Sequence, residues 1–249
     1  MAPHLLIAVA LSTLIGVSLG LLGGGGSILA VPLLVYVARV DAHTAIEMSL
    51  AVVGATSLVG ALVHARAGRV DLRAGAGFGV AGMIGAPLGA RASHAVAGPT
   101  LLLLFALLMI GVGGLMLRNG PLVASPISRP PRRVAVPAVG FAVGLLTGFL
   151  GVGGGFLVVP ALALLAALPM HTAVGTSLLV IALSSAAGLA GHVHLGRLPL
   201  GLTAAFTVAS VLGALAGVRV AGTLDAVHLR RSFAVFVVLV GLALLAANL

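Results

Sequence analysis

The chain is written twice. A shift of 128 positions lays residues 16–91 over 144–219 without a gap, and roughly two positions in five coincide, the signature of an internal repeat. The coincidences are punctuation rather than filler. Gly16, Gly20, Gly23, Gly25, Gly26, Pro32, His43, Thr44, Ser49, Ser57, Gly60, His64, Gly68, Arg69, Gly85, Gly89 and Arg91 recur as Gly144, Gly148, Gly151, Gly153, Gly154, Pro160, His171, Thr172, Ser177, Ser185, Gly188, His192, Gly196, Arg197, Gly213, Gly217 and Arg219. Whatever element order one half adopts, the other must adopt as well.

A chain that is 61% hydrophobic and 7% charged, with mean hydropathy +1.29, has too little polar surface to clothe a soluble globule of this length. It belongs in a bilayer. A span needs about 20 mostly apolar residues; charges and prolines cut the sequence into segments at 4–22, 27–39, 43–64, 72–91, 98–118, 134–150, 155–168, 171–192, 199–219 and 229–248. Segments 27–39 and 155–168 are equivalent copies and too short to cross at about 1.5 Å per residue. They read as half-helices joined to the preceding span through a glycine turn inside the membrane. The first segment is too long and too glycine-rich at its end for a removable signal peptide, and its copy at 134–150 is internal. The net charge of +9 comes from arginines scattered over short loops, which suits phospholipid headgroups and not nucleic acid. The absence of Cys excludes disulfides and thiolate metal sites.

Each copy holds five apolar segments, an odd number, so the second copy is expected upside down relative to the first. With the N-terminus outside, the inner loops carry Arg66, Arg69, Arg73, Arg118, Arg129, Arg132, Arg133, Arg219, Arg230 and Arg231, and the outer loops keep Arg39, Arg91 and Arg197. That is a positive-inside bias, with both termini periplasmic. The expected organisation is all-α and polytopic: a first repeat over 1–118, a cytoplasmic linker over 119–133 and an inverted second repeat over 134–249. Each repeat has a glycine-broken re-entrant pair plus three transmembrane helices.

The chemistry is expected at the breaks. Gly23-Gly24-Gly25-Gly26-Ser27 and Gly151-Val152-Gly153-Gly154-Gly155 are each followed by a proline, Pro32 and Pro160. Glycine costs about 1 kcal/mol per residue in a helix, so these runs interrupt the span, and unwound backbone at that depth must line a polar cavity or be covered by protein. Each run leaves the N-terminal end of a short helix, with unpaired N–H groups and a positive dipole end, as a seat for an anion. Folded as a hairpin turning near Asp41, the first copy sets Gly26 and Ser27 level with Ala55, Thr56 and Ser57; around Pro169, Gly155 falls beside Leu183, Ser184 and Ser185. The expected substrate site is therefore Gly23, Gly24, Gly25, Gly26, Ser27, Thr56, Ser57, Gly151, Gly153, Gly154, Gly155, Ser184 and Ser185. The alternative for the hydroxyls is bonding back to their own helices.

Glu47 is the one acid inside a predicted span and a candidate for proton coupling, although it sits one turn from the outer end and its counterpart is Gly175. His43 and His171 open equivalent helices and read as caps. His64, His192 and His194, at span ends near arginines, read as interface residues; no spacing of carboxylates or thiols makes a metal site with them. Gly16/Gly20, Gly85/Gly89, Gly144/Gly148 and Gly213/Gly217 are small-xxx-small pairs suited to close helix crossing. Gly16-Val17-Ser18-Leu19-Gly20 matches G-x-S-x-G, but no strand precedes it, and a chain without Lys has no P-loop.

Taken together, Gly20-Leu-Leu-Gly23-Gly-Gly-Gly26-Ser-Ile-Leu-Ala-Val-Pro32, its copy Gly148-Phe-Leu-Gly151-Val-Gly-Gly-Gly155-Phe-Leu-Val-Val-Pro160, the run His171-Thr-Ala-Val-Gly-Thr-Ser177 and the endings Gly85…Gly89-Ala-Arg91 and Gly213…Gly217-Val-Arg219 resemble the TauE/SafE sulfite exporters of the TSUP superfamily. The first copy departs, with Ile46-Glu47-Met48-Ser49 where the pattern has Val-Gly-Thr-Ser. The resemblance implies a bacterial inner-membrane permease for small sulfur-containing anions such as sulfite or organosulfonates, without cofactor or metal and not an enzyme. It leaves a homodimer open. A passive anion channel, or a carrier of non-sulfur organic acids, is the alternative.

Overall fold

The computed structural model describes residues 3–93, 96, 98–118, 135–150, 155–191 and 199–247. These form ten helical elements with no strand among the described residues. In the first half they are α1 (Pro3–Leu22), α2 (Gly24–Val37), α3 (Ala42–Arg66), α4 (Leu72–Ser93) and α5 (Gly98–Arg118). The second half repeats them as α6 (Ala135–Leu150), α7 (Gly155–Leu165), α8 (Met170–Gly191), α9 (Leu200–Thr223) and α10 (Ala226–Ala247). Five, namely α3, α5, α8, α9 and α10, are long and apolar enough to cross a bilayer unaided. The linker over 119–133 lies outside the described residues.

The two short helices are where the sequence placed them, and their local geometry follows from their residues. Gly23 takes φ 72°, ψ −118°, a backbone open to glycine and strained for any side chain. After it α2 opens as a 3-10 helix (Gly24–Leu29). Pro32 supplies no N–H and its ring crowds the carbonyl four residues back, and the chain widens into a π-turn over Leu33–Val37; Pro160 and Ala161–Leu165 repeat this in α7. Both helices end alike. Ala38 and Ala166 donate to the carbonyls of Leu33 and Ala161, and the next residues, Arg39 and Ala167, are left-handed at φ 56° and 54°. The helix that follows in the first copy is capped by Asp41, whose carboxylate accepts from the Thr44 N–H at 3.4 Å. Asp71 and Asp225 cap α4 and α10 likewise, accepting from Ala74 and His228. Three of the chain's four acids thus sit at helix starts, where an acceptor satisfies unpaired N–H groups.

Glycine decides how the halves interlock. A Cβ on Gly16 or Gly20 would run into the backbone of Ser210 or Ala214, and one on Gly213 or Gly217 into that of Thr13 or Val17. α1 therefore packs parallel to α9, backbone against backbone. The same contacts return with the halves exchanged: Gly144 and Gly148 against Gly82 and Ala86, Gly85 and Gly89 against Phe141 and Leu145, so α6 packs parallel to α4. The small-xxx-small pairs have the packing role their spacing suggested. Equivalent helices, in contrast, run against each other. Leu50 meets Gly188, Gly54 meets Ser185 and Gly60 meets Leu178, an antiparallel α3–α8 pair; Gly113 against Val238 and Gly241 against Met109 make α5 and α10 antiparallel too.

α8 is the most enclosed of the five long helices and α5 and α10 the least. The outer surface is studded with apolar side chains such as Leu88, Leu107, Leu212 and Leu239, an exterior compatible with lipid. Inside, the α5–α10 pair buttresses the short helices: Phe105 meets Phe156 edge to face at 5.1 Å, and the ring of Phe236 lies beside Gly25.

Candidate functional site

The starts of the two short helices meet. Gly24 packs on the backbone of Gly155, leaving no room for a Cβ, and a Cβ on Gly155 would stand 2.6 Å from Ser27 Oγ and 3.1 Å from the Gly24 carbonyl oxygen. Gly24, Gly25, Gly26 and Gly155 are all buried. Ser27 closes the local turn by donating its hydroxyl to the Gly24 carbonyl at 2.7 Å. Gly151, Gly153 and Gly154 lie outside the described residues, as do His192 and His194.

The surroundings differ from the hairpin arithmetic. The first break abuts α8 of the other half, with Gly23 against Ser177 Oγ and the Val174 carbonyl, and Gly26 lies on Ile15 and Leu19 of α1. Level position within a hairpin says nothing of which helix crosses it. Ser177, whose hydroxyl donates to the Val174 carbonyl at 2.7 Å, is the site-lining residue that sequence reasoning passed over. Its signal was present in the Ser49/Ser177 coincidence.

The candidate hydroxyls of α3 and α8 divide. Thr56 and Ser57 are fully buried, and neither side-chain oxygen has a hydrogen-bond partner. They do not bond back to their helix. They lie between Val53 and Ala61, which share an apolar cluster with Ile15, Leu19, Leu178 and Ile181, and Ile181 also touches Gly155. Ser185 is buried against Gly54 where α3 and α8 cross. Ser184 is exposed, so the first copy buries both of its adjacent hydroxyls and the second buries Ser185 alone. Successive helix residues point about 100° apart, so both face inward only where the helix is covered on two sides. α9 covers α3 more extensively than α4 covers α8.

Glu47 is partly buried near the start of α3, and its equivalent position explains the Gly175-Thr176 pair of the second copy. Gly175 lets the Arg69 backbone approach without a gap, and Thr176 Oγ1 accepts from the Asp71 N–H at 3.0 Å, so the α3–α4 turn is pinned on α8. His171 hydrogen-bonds through Nε2 to the Leu224 carbonyl at 3.1 Å, fastening the start of α8 to the α9–α10 turn; a carbonyl only accepts, so Nε2 carries the proton. His64 corrects the interface reading. It is 1% exposed, its Cβ packs at Gly175, and neither ring nitrogen has a partner. Among the described residues no three of His, Asp and Glu gather as a metal-binding group.

Known proteins resemble this chain at the level of their amino-acid sequences. A Xylella fastidiosa protein described as a probable membrane transporter is 42% identical over 183 residues, covering 71% of this chain and 69% of its own. The Bacillus subtilis probable membrane transporter proteins YunE and YdhB are 30% and 28% identical, YdhB over 93% of this chain and 96% of its own. No solved structure matches the chain significantly. The family model for the sulfite exporter TauE/SafE matches residues 8–244, and the chain belongs to that family of membrane transporters.

Proposed function

We propose that the protein is a secondary carrier of small sulfur-containing oxyanions, sulfite or organosulfonates, which it binds where α2 and α7 begin and moves by alternating access between two inverted repeats of the bacterial inner membrane. The observation that carries this reading is the backbone contact of Gly24 with Gly155 at the starts of the two short helices; Thr56 and Ser57, buried in α3 without hydrogen-bond partners, are assigned to the same site. Backbone N–H groups and hydroxyls donate without a fixed counter-charge, which holds an oxyanion loosely enough to release it. The antiparallel run of equivalent helices supports the inverted arrangement, and the arginine distribution supports N- and C-termini outside. The sulfur chemistry is taken from the family.

Counterflow in proteoliposomes tests it. Labelled sulfite is expected to enter saturably, faster when unlabelled sulfite is trapped inside. Gly24→Ala, which pushes a methyl group into the Gly155 backbone, is expected to insert and to lose most of this flux. Linear flux without trans-stimulation makes the protein a channel. Undiminished flux in Gly24→Ala removes the site.

A further inference from the structure

We infer that His64 is a proton-binding site that couples anion movement to proton movement, an assignment that rests on the anion-carrier reading. His64 lies seven residues beyond Ser57, two turns and about 10 Å along the same stripe of α3. Its ring is buried with two unpartnered nitrogens, an arrangement that native interiors avoid unless the group has work to do. The elements around it are accounted for. α1 brings the backbone of Gly20 near the ring, short of hydrogen-bond geometry; the α3–α4 turn contributes Arg69; α8 contributes His171 and the bare backbone at Gly175. The carboxylate of the same turn, Asp71, is engaged in capping α4 at the Ala74 N–H, so the natural counter-charge for a protonated His64 is the transported anion.

The coupling follows from Coulomb's law. A charged imidazole and an anion about 10 Å apart attract enough, at an effective dielectric of about 20, to strengthen binding by about tenfold. A proton taken from water on one side by the free ring nitrogen favours loading of the anion, and its release on the other side favours unloading. The turn that covers His64 is held on α8 by Gly175 and Thr176, so separation of these two surfaces would open the ring to water.

The test uses a small alkanesulfonate, whose own charge does not change near neutral pH. In proteoliposomes wild-type uptake is expected to rise about tenfold under an inward proton gradient, while His64→Gln retains counterflow and loses the response to the gradient. In histidine-labelled protein the His64 imidazole is expected to gain a proton on acidification in the presence of the sulfonate, its resonance identified by its loss in His64→Gln. If that variant does not fold, the resonance is identified by replacing the other seven of the eight histidines. A His64 imidazole that keeps one protonation state at every pH the folded protein survives, or a gradient response surviving in His64→Gln, overturns the assignment. Absence of any sulfonate or sulfite flux in the wild type refutes the anion-carrier reading instead, and the imidazole titration then decides the proton site alone.

Discussion

Replacing the two silent hydroxyls should separate stability from function. Thr56 and Ser57 are buried with unpartnered oxygens, and an unsatisfied buried hydroxyl costs about 1–3 kcal/mol. Thr56→Val preserves volume and removes that cost outright. Ser57→Ala removes it too, but leaves a void the size of one oxygen, worth about 0.4 kcal/mol at the usual penalty per unit of cavity volume. The residues are neighbours and will not add perfectly, so the substrate-free double variant should gain about 2–4 kcal/mol. For a protein of this size that is a rise of roughly 4–16 °C in melting temperature. The same hydroxyls are donors to the anion in the proposed site. Hydrogen bonds to a charged group are worth about 1.5–3 kcal/mol each, so sulfite affinity should fall by at least tenfold. Thermal unfolding of both proteins with and without sulfite reads the two effects together. A double variant that melts lower than wild type without ligand, yet responds to sulfite equally, would show that these hydroxyls serve packing and would refute the argument.

Two further outcomes follow from the helix ends. Ala167 is left-handed at φ 54°, a conformation that costs a side chain about 1 kcal/mol, so Ala167→Gly should raise the melting temperature by roughly 2–4 °C without altering counterflow; a lower melting temperature would show the strain is absent. Asp225 accepts from the His228 backbone N–H and pairs with the His228 ring at 2.7 Å, which together hold its carboxyl below the usual carboxylate range. A lowered folded value contributes stability that is complete above the unfolded value of about 3.9 and disappears as pH falls through the folded one. Wild-type protein should therefore lose stability more steeply than Asp225→Asn on acidification below about pH 4, and equal slopes would exclude the effect.

The element order was legible because bilayer helices are set by run length and by the residues that interrupt it. Gly23, Pro32 and Asp41 mark the start of the first short helix, its widening and the cap of the helix after it as clearly in the sequence as in space. The small-xxx-small pairs gave away the close crossings, but not their partners. A repeat reveals which residues are equivalent, whereas contact between Gly16 and Ser210 depends on how the halves dock. The same limit hid Ser177, which lines the break of the opposite half. Burial was the other blind spot. His64 and Ser184 have similar polarity on paper, and only the neighbouring helices make one fully enclosed and the other exposed.

The backbone seams between α1 and α9 and between α4 and α6 tie each half to the other rather than to itself. During synthesis α1 enters the membrane long before α9 leaves the ribosome, its glycine face bare against lipid for most of translation. The first half has no finished form to wait in. Maturation must be a late event, in which the last helices to arrive complete the seams of the first, and a truncated product lacking α9 is expected to be cleared as an unassembled intermediate.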